Sequence, residues 1–119
     1  KLFINTMKGK LQEGHKLGGY ALIGSLPGCI RQQSHRDYQM NTKIGVPAVC
    51  PYSVLLALMD DSYVYLDNVK FHLPKGYAVI MRGNQIHNGA EYDTYNVRFH
   101  MYLDTKQYKA KDGVNINWS

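Results

Sequence analysis

The sequence predicts an all-β domain, a jelly roll of about eight strands with little helix. Three observations carry that reading. β-Branched and aromatic residues recur in runs of about four to nine, bounded by Gly, Pro, Asn and Asp. Turn-forming sets separate the runs, and no helical pattern of roughly 10–15 residues lies between them, which favours an antiparallel sandwich or barrel over a parallel α/β sheet.

The elements follow in chain order. A strand over Gly19–Gly24 closes on the turn Leu26-Pro27-Gly28, and a second is expected directly after it over Cys29–Gln33. Tyr52–Met59 contains the longest apolar run, Val54 to Met59, and stops at Asp60-Asp61-Ser62. Tyr63–Leu66 and Val69–Leu73 flank Asp67-Asn68 as a hairpin. Pro74-Lys75-Gly76 leads into Tyr77–Arg82, followed by the turn Arg82-Gly83-Asn84 and a short piece at Ile86 and His87. Tyr95–Leu103 is the last and most regular strand. Leu2 to Leu17 has weak helical periodicity broken by Gly9 and Gly14, and Thr105 to Ser119 is polar without a period. Both are read as coverings (1–18 and 105–119) of a core spanning about 19–104 in one domain, 1–119.

A chain of 119 residues buries roughly 65% of its unfolded surface on folding, so its core needs no disulfide or structural zinc. Cys29 and Cys50 have no CxxC or CxxH companion and are read as free buried thiols. The longest apolar run falls far short of the roughly 18 residues of a membrane-spanning helix. The chain opens at Lys1, as expected of a mature or trimmed piece of something longer, and its compartment is not legible. Fourteen Lys plus Arg against nine Asp plus Glu give +5, a balance that assists docking to anionic substrates or partners. The lysines cluster toward the two ends without aromatic interleaving, so an ordinary solvated surface is the favoured reading over a single-strand binding platform.

The candidate chemistry starts from Tyr95–Leu103, which alternates with period two. One face carries Val97, Phe99, Met101 and Leu103 and must bury against something apolar; the other carries Asn96, Arg98, His100 and Tyr102. Upstream, Ser34-His35-Arg36-Asp37 sets an imidazole and a carboxylate two residues apart, on one side of an extended chain. His87 follows in Ile86-His87-Asn88-Gly89. Two His and one carboxylate form the facial set that holds non-haem Fe(II) and leaves positions open for small molecules. The interval from His35 to His87 accommodates four or five strands of about five or six residues, enough to lead the chain around a small barrel and back. Tyr52 and Ser53 open the strand after this loop and are candidates to face the pocket. Arg98 inside a barrel requires an anion, because an unpaired buried charge costs on the order of 3–5 kcal/mol and a bidentate carboxylate satisfies it. Asp104, Asp93 and Glu91 are the alternative partners within the chain. His72, sharing a face with Lys70, and His15, between glycine-flanked turns, are read as surface residues.

In this order on an all-β pattern, His35-x-Asp37, His87 and Arg98 resemble the signature of the 2-oxoglutarate and Fe(II)-dependent oxygenases. The stretch Gly76 to Gly83 is also similar to that family's strand and turn before its distal histidine. The resemblance covers about Gly19 to Leu103 and implies a double-stranded β-helix. It implies metal ligation by His35, Asp37 and His87, and a salt bridge from Arg98 to the far carboxylate of the co-substrate 2-oxoglutarate. Many family members place a small hydroxyl residue two positions after the arginine, also on that carboxylate; His100 stands there, and the resemblance implies the same hydrogen bond from its imidazole. The implied activity is hydroxylation of an unidentified substrate.

Two other readings fit parts of the pattern. A cupin-like metal enzyme acting without 2-oxoglutarate shares the fold, but the chain offers HxD where the first cupin motif has HxH and a following Glu. A non-catalytic jelly-roll binding or assembly module is the third, because oxygenases of this type usually carry helices backing the sheet. Either such flanks are lost here, or a second copy or a partner chain covers Val97, Phe99, Met101 and Leu103.

Overall fold

The structure, a computed structural model, describes residues 14–40, 50–110 and 113–119. The weak helical pattern anticipated at Leu2 to Leu17 lies mostly outside these residues. Among the described residues there is no helix, and eight strands form two sheets. The strands are β1 (Lys16–Ser25), β2 (Tyr52–Ala57), β3 (Ser62–Leu66), β4 (Val69–Leu73), β5 (Ala78–Arg82), β6 (His87–Gly89), β7 (Asn96–Asp104) and β8 (Val114–Trp118).

Seven strands match the sequence reading within a few residues; two assignments differ. Cys29–Gln33 is not a strand: it carries one isolated bridge, Cys29 opposite Tyr92, and a second follows just beyond it, His35 opposite His87. A strand instead forms at β8, within the segment read as a covering, where polar residues alternate with Val114, Ile116 and Trp118. β8 lies parallel to β1, a long-range pairing that local pattern does not announce.

The larger sheet has the order β5-β2-β7-β1-β8 and the smaller β4-β3-β6. β3 and β4 are joined by Asp67 and Asn68, both at positive φ (48° and 67°), the left-handed pair that a two-residue hairpin requires. The sheets meet through Leu55, Ala57 and Val79 of the larger and Val64, Leu66 and Leu73 of the smaller. Full burial of each leucine or valine there contributes about 1.5–3 kcal/mol. A second cluster, Val54 and Leu103 with Tyr52, Ala78, Ile80 and Met101, lies on the opposite face of the larger sheet.

β7 runs through the middle of the larger sheet between β1 and β2. Asn96, Arg98 and His100 are buried, whereas Val97, Phe99 and Met101 are only half-buried. The strand thus turns its polar side inward, and of the apolar side only Leu103 is fully buried. His100 stands between Ala21 and Leu55, and Arg98 between Ile23 and Ala57.

The turn after β5 shows how closely the interior is packed. Gly83 hydrogen-bonds with Pro51 and Tyr38 through its backbone, and a Cβ there would come within 2.6 Å of the Tyr38 ring and 2.9 Å of Pro51. Tyr38 is buried and cannot swing clear. Gly83→Ala is therefore expected to destabilise the protein by about 1–3 kcal/mol through overpacking. Denaturant unfolding checks this, and an unchanged midpoint would contradict it.

Candidate metal centre

Backbone pairing brings the sequence-distant histidines together. His35 and His87 exchange both backbone hydrogen bonds, 2.9 and 3.0 Å, so they form a directly opposed antiparallel pair with side chains on one face. Their rings lie 4.5 Å apart between centroids. Asp37, two residues beyond His35, adds its carboxylate to the same side, as the HxD spacing predicts. One donor atom from each of His35, Asp37 and His87 lies within 4.8 Å of the others, the arrangement of a candidate metal site. Ser34 Oγ also donates to Asn88 Oδ1 (3.3 Å), tying the His35 loop to β6.

The hydrogen bonds of the two imidazoles fix which nitrogen is offered. Nδ1 of His35 lies 3.1 Å from the Gln33 carbonyl, and Nδ1 of His87 lies 2.8 Å from the Gln85 carbonyl. A carbonyl only accepts, so Nδ1 carries the proton and Nε2 of the neutral ring carries a lone pair. Both Nε2 atoms face the same carboxylate oxygen, Asp37 Oδ1, at 3.5 Å from His35 and 3.4 Å from His87. Three acceptors converging on one point repel one another unless a positive charge lies among them. Separations of this size suit donors each bonding a common ion at about 2.0–2.2 Å. The donor set therefore fits a first-row divalent metal, with the backbone carbonyls as outer-shell partners that fix the rings.

Asp37 is held from its other side. Ser53 Oγ donates to Oδ2 at 2.6 Å, and His100 Nε2 approaches Oδ2 at 3.3 Å. Burial alone pushes the pKa of Asp37 up; contacts with His100 and His87 and the Ser53 hydrogen bond outweigh it and hold the carboxyl far below the usual range. His87 moves the other way. Burial disfavours its charged form, but the Asp37 carboxylate prevails and raises its pKa. Metal uptake displaces that proton, so affinity is expected to fall as pH drops through the raised His87 pKa. Metal titrations from about pH 8 to about pH 5.5 check this; a constant affinity would contradict it.

Arg98 lines the same cavity, of about 490 Å³, as His35, Asp37, His87 and His100. It is 5% exposed. Its guanidinium donates to Asn96 Oδ1 (2.7 Å) and Ser25 Oγ (2.9 Å) and stacks 4.9 Å from the Tyr92 ring centroid. Burial lowers its pKa. Among the described residues no carboxylate lies within ion-pair distance of it. Asp104, one of the alternative partners, accepts instead from Tyr38 (2.7 Å) and the Ala110 backbone (2.9 Å). Glu91 pairs with Tyr65 and Lys70. Among the described residues, the partners of this buried cation are neutral.

Of the five residues singled out from sequence, all line this cavity, but His100 directs Nε2 to Asp37, the oxygen that Ser53 also holds. Tyr52 turns to the opposite face with Val54 and Leu103. Ser25 and Tyr92 around Arg98 had no local signal, since they reach it only through sheet register. Asn96 had one, lying two residues before Arg98 on the same face of β7. Burial and the carboxylates of Asp37 and Asp104 push the Tyr102 phenol up to about 12, so it lines the cavity as a neutral hydroxyl. His72 is exposed as expected, while His15 is half-buried with Nε2 2.7 Å from the Cys50 carbonyl. Cys29 and Cys50 are both free thiols. No helix of the described residues is long and apolar enough to cross a membrane. In comparisons with known proteins, no family matched the chain and no curated protein matched it.

Proposed function

We propose that the protein is an Fe(II)- and 2-oxoglutarate-dependent oxygenase of the double-stranded β-helix kind. One observation carries this reading: a two-histidine, one-carboxylate donor set and a buried arginine with no carboxylate partner among the described residues share one cavity. The chain path supports the fold. It passes from β1 in the larger sheet to the 29–35 segment bridged to the smaller-sheet side, back to β2, across to β3 and β4, and again through β5, β6 and β7 in alternation. Such two-sheet winding is the pattern of a jelly roll.

In this reading His35, Asp37 and His87 hold the iron and Arg98 holds the far carboxylate of 2-oxoglutarate. Together the two groups supply O2 activation coupled to oxidative decarboxylation, yielding hydroxylated substrate, succinate and carbon dioxide. The protein contributes orientation and exclusion. The Gln33 and Gln85 carbonyls keep both Nε2 lone pairs directed at the metal position. Asn96, Ser25 and Tyr92 hold the guanidinium fixed, so a carboxylate docks without side-chain reorganisation. The apolar walls, Ile23, Leu55, Val64 and Met81, limit water near the reacting centre. The cavity volume lies within the range of small-molecule sites, about 300–1,000 Å³.

A cupin-like metal enzyme would use the same three donors without 2-oxoglutarate, and a non-catalytic module would use the cavity to bind a ligand without turnover; the same assay separates both from the proposal. Succinate formation from 2-oxoglutarate, with Fe(II) and O2, tests the proposal. The wild-type chain is expected to form succinate in an iron-dependent manner and Asp37→Ala to form none; equal background from both would contradict the reading.

A further inference from the structure

The cavity contains a third imidazole that a metal–arginine description leaves without a task. His100 is buried on β7, edge-on to Tyr102 with ring centroids 4.6 Å apart. Its Nε2 lies 3.3 Å from Asp37 Oδ2, the oxygen that already accepts from Ser53 at 2.6 Å. The two carboxylate oxygens are thereby divided: Oδ1 faces His35 and His87, and Oδ2 faces His100 and Ser53. His35 and His87 each have a backbone carbonyl at Nδ1, which takes the ring proton there. Among the described residues His100 has no such partner at Nδ1, and the carboxylate oxygen its Nε2 faces only accepts, which places the proton of its neutral ring at Nε2.

We infer that His100 and Ser53 are positioning residues that clamp Oδ2 of Asp37, leaving Oδ1 alone to meet a metal between His35 and His87. The inference rests on the metal reading of Asp37 and alters the part assigned to His100. With its Nε2 proton committed to Asp37, that nitrogen gives no hydrogen bond to a carboxylate held by Arg98. Metal affinity and 2-oxoglutarate affinity then depend on different residues of the same strand face, His100 for the first and Arg98 for the second. Fixing the ligand oxygen before the metal arrives also removes the side-chain freedom that a lone aspartate would lose on binding.

The test uses the whole chain and two readouts. In the metal-free protein at about pH 8, above the ordinary imidazole range, long-range 1H–15N spectra of the histidine rings assign each tautomer. His100 is expected as Nε2–H, with His35 as Nδ1–H, and Asp37→Ala is expected to release the Nε2–H preference of His100 alone. A His100 ring protonated only at Nδ1 would overturn the clamp. Zn²⁺, a diamagnetic probe for such donors, supplies the second readout by competition with a chelator. His100→Leu should weaken Zn²⁺ binding about 10–100-fold, the range for loss of an outer-shell partner. His100→Gln, which keeps an N–H donor, should recover most of that affinity, and both variants should bind 2-oxoglutarate as wild type does once saturated with Zn²⁺. Unchanged Zn²⁺ affinity in His100→Leu, or a loss confined to 2-oxoglutarate, would overturn the inference. A wild-type chain that shows the expected tautomers yet takes up no Zn²⁺ would overturn the metal reading and leave the clamp standing.

Discussion

Replacing His87 with alanine is expected to abolish metal uptake while leaving the fold in place. His87 supplies one of three donors and is the more buried of the two histidines, with a side chain 9% exposed against 47% for His35. Loss of an outer-shell partner alone lowers metal affinity about 10–100-fold, and loss of a donor exceeds that range. The backbone pairing with His35 survives, because both of its hydrogen bonds run between main-chain atoms. The cost to the metal-free fold is expected to stay within about 1–3 kcal/mol, the ordinary range for a buried substitution. Equilibrium dialysis against Fe(II) under anaerobic conditions, alongside denaturant unfolding, separates the two quantities. Retained stoichiometric iron in His87→Ala would remove His87 from the site.

Arg98→Met is expected to lose 2-oxoglutarate while binding metal as tightly as wild type. Methionine preserves much of the side-chain volume against Tyr92 and removes the charge. Truncating one partner of a buried, hydrogen-bonded charge pair costs about 2–5 kcal/mol, which corresponds to a roughly 30- to 5,000-fold weaker co-substrate. Without ligand, the same substitution relieves a buried cation that has only neutral partners, so stability is expected to change little. Isothermal titration with 2-oxoglutarate at saturating metal reads the effect. Equal affinity in Arg98→Met and wild type would take the guanidinium out of this role.

The parts of this architecture that were legible in the sequence are those set by local chemistry. Asp67-Asn68 announces its hairpin because both residues tolerate positive φ, and β7 declares itself through strict alternation over nine residues. His35 and Asp37 are two apart in an extended segment and so share a side whatever the rest of the fold does. What the pattern did not carry was long-range pairing. Cys29–Gln33 has strand composition but forms only a bridge at Cys29, with another beyond it at His35, whereas β8, polar at two of its five positions, pairs in parallel with β1. Local propensity gives way to sheet edge and register at both places. The same limit applies at the site: Arg98 and His100 could be placed on one face, but that Ser25 meets the first depends on the β1–β7 register, and that Asp37 meets the second depends on the course of a non-strand segment.

The polarity of β7 follows the same logic in reverse. A period-two strand with one apolar face ordinarily buries that face, and here the inward side is Asn96, Arg98 and His100. That inversion places polar groups where each must find a partner, and Asn96 and His100 do so within the protein. The partners of Arg98 among the described residues are neutral, and an anionic ligand would answer its charge.

Anaerobic titration of the full chain with Fe(II), followed by 2-oxoglutarate, tests the central claim most directly. One iron per chain is expected, then a weak visible charge-transfer band on adding 2-oxoglutarate, absent in Arg98→Met at the same concentration. Iron uptake without that band would contradict the co-substrate assignment, and failure to take up iron at all would contradict the meeting of His35, Asp37 and His87 on which it depends.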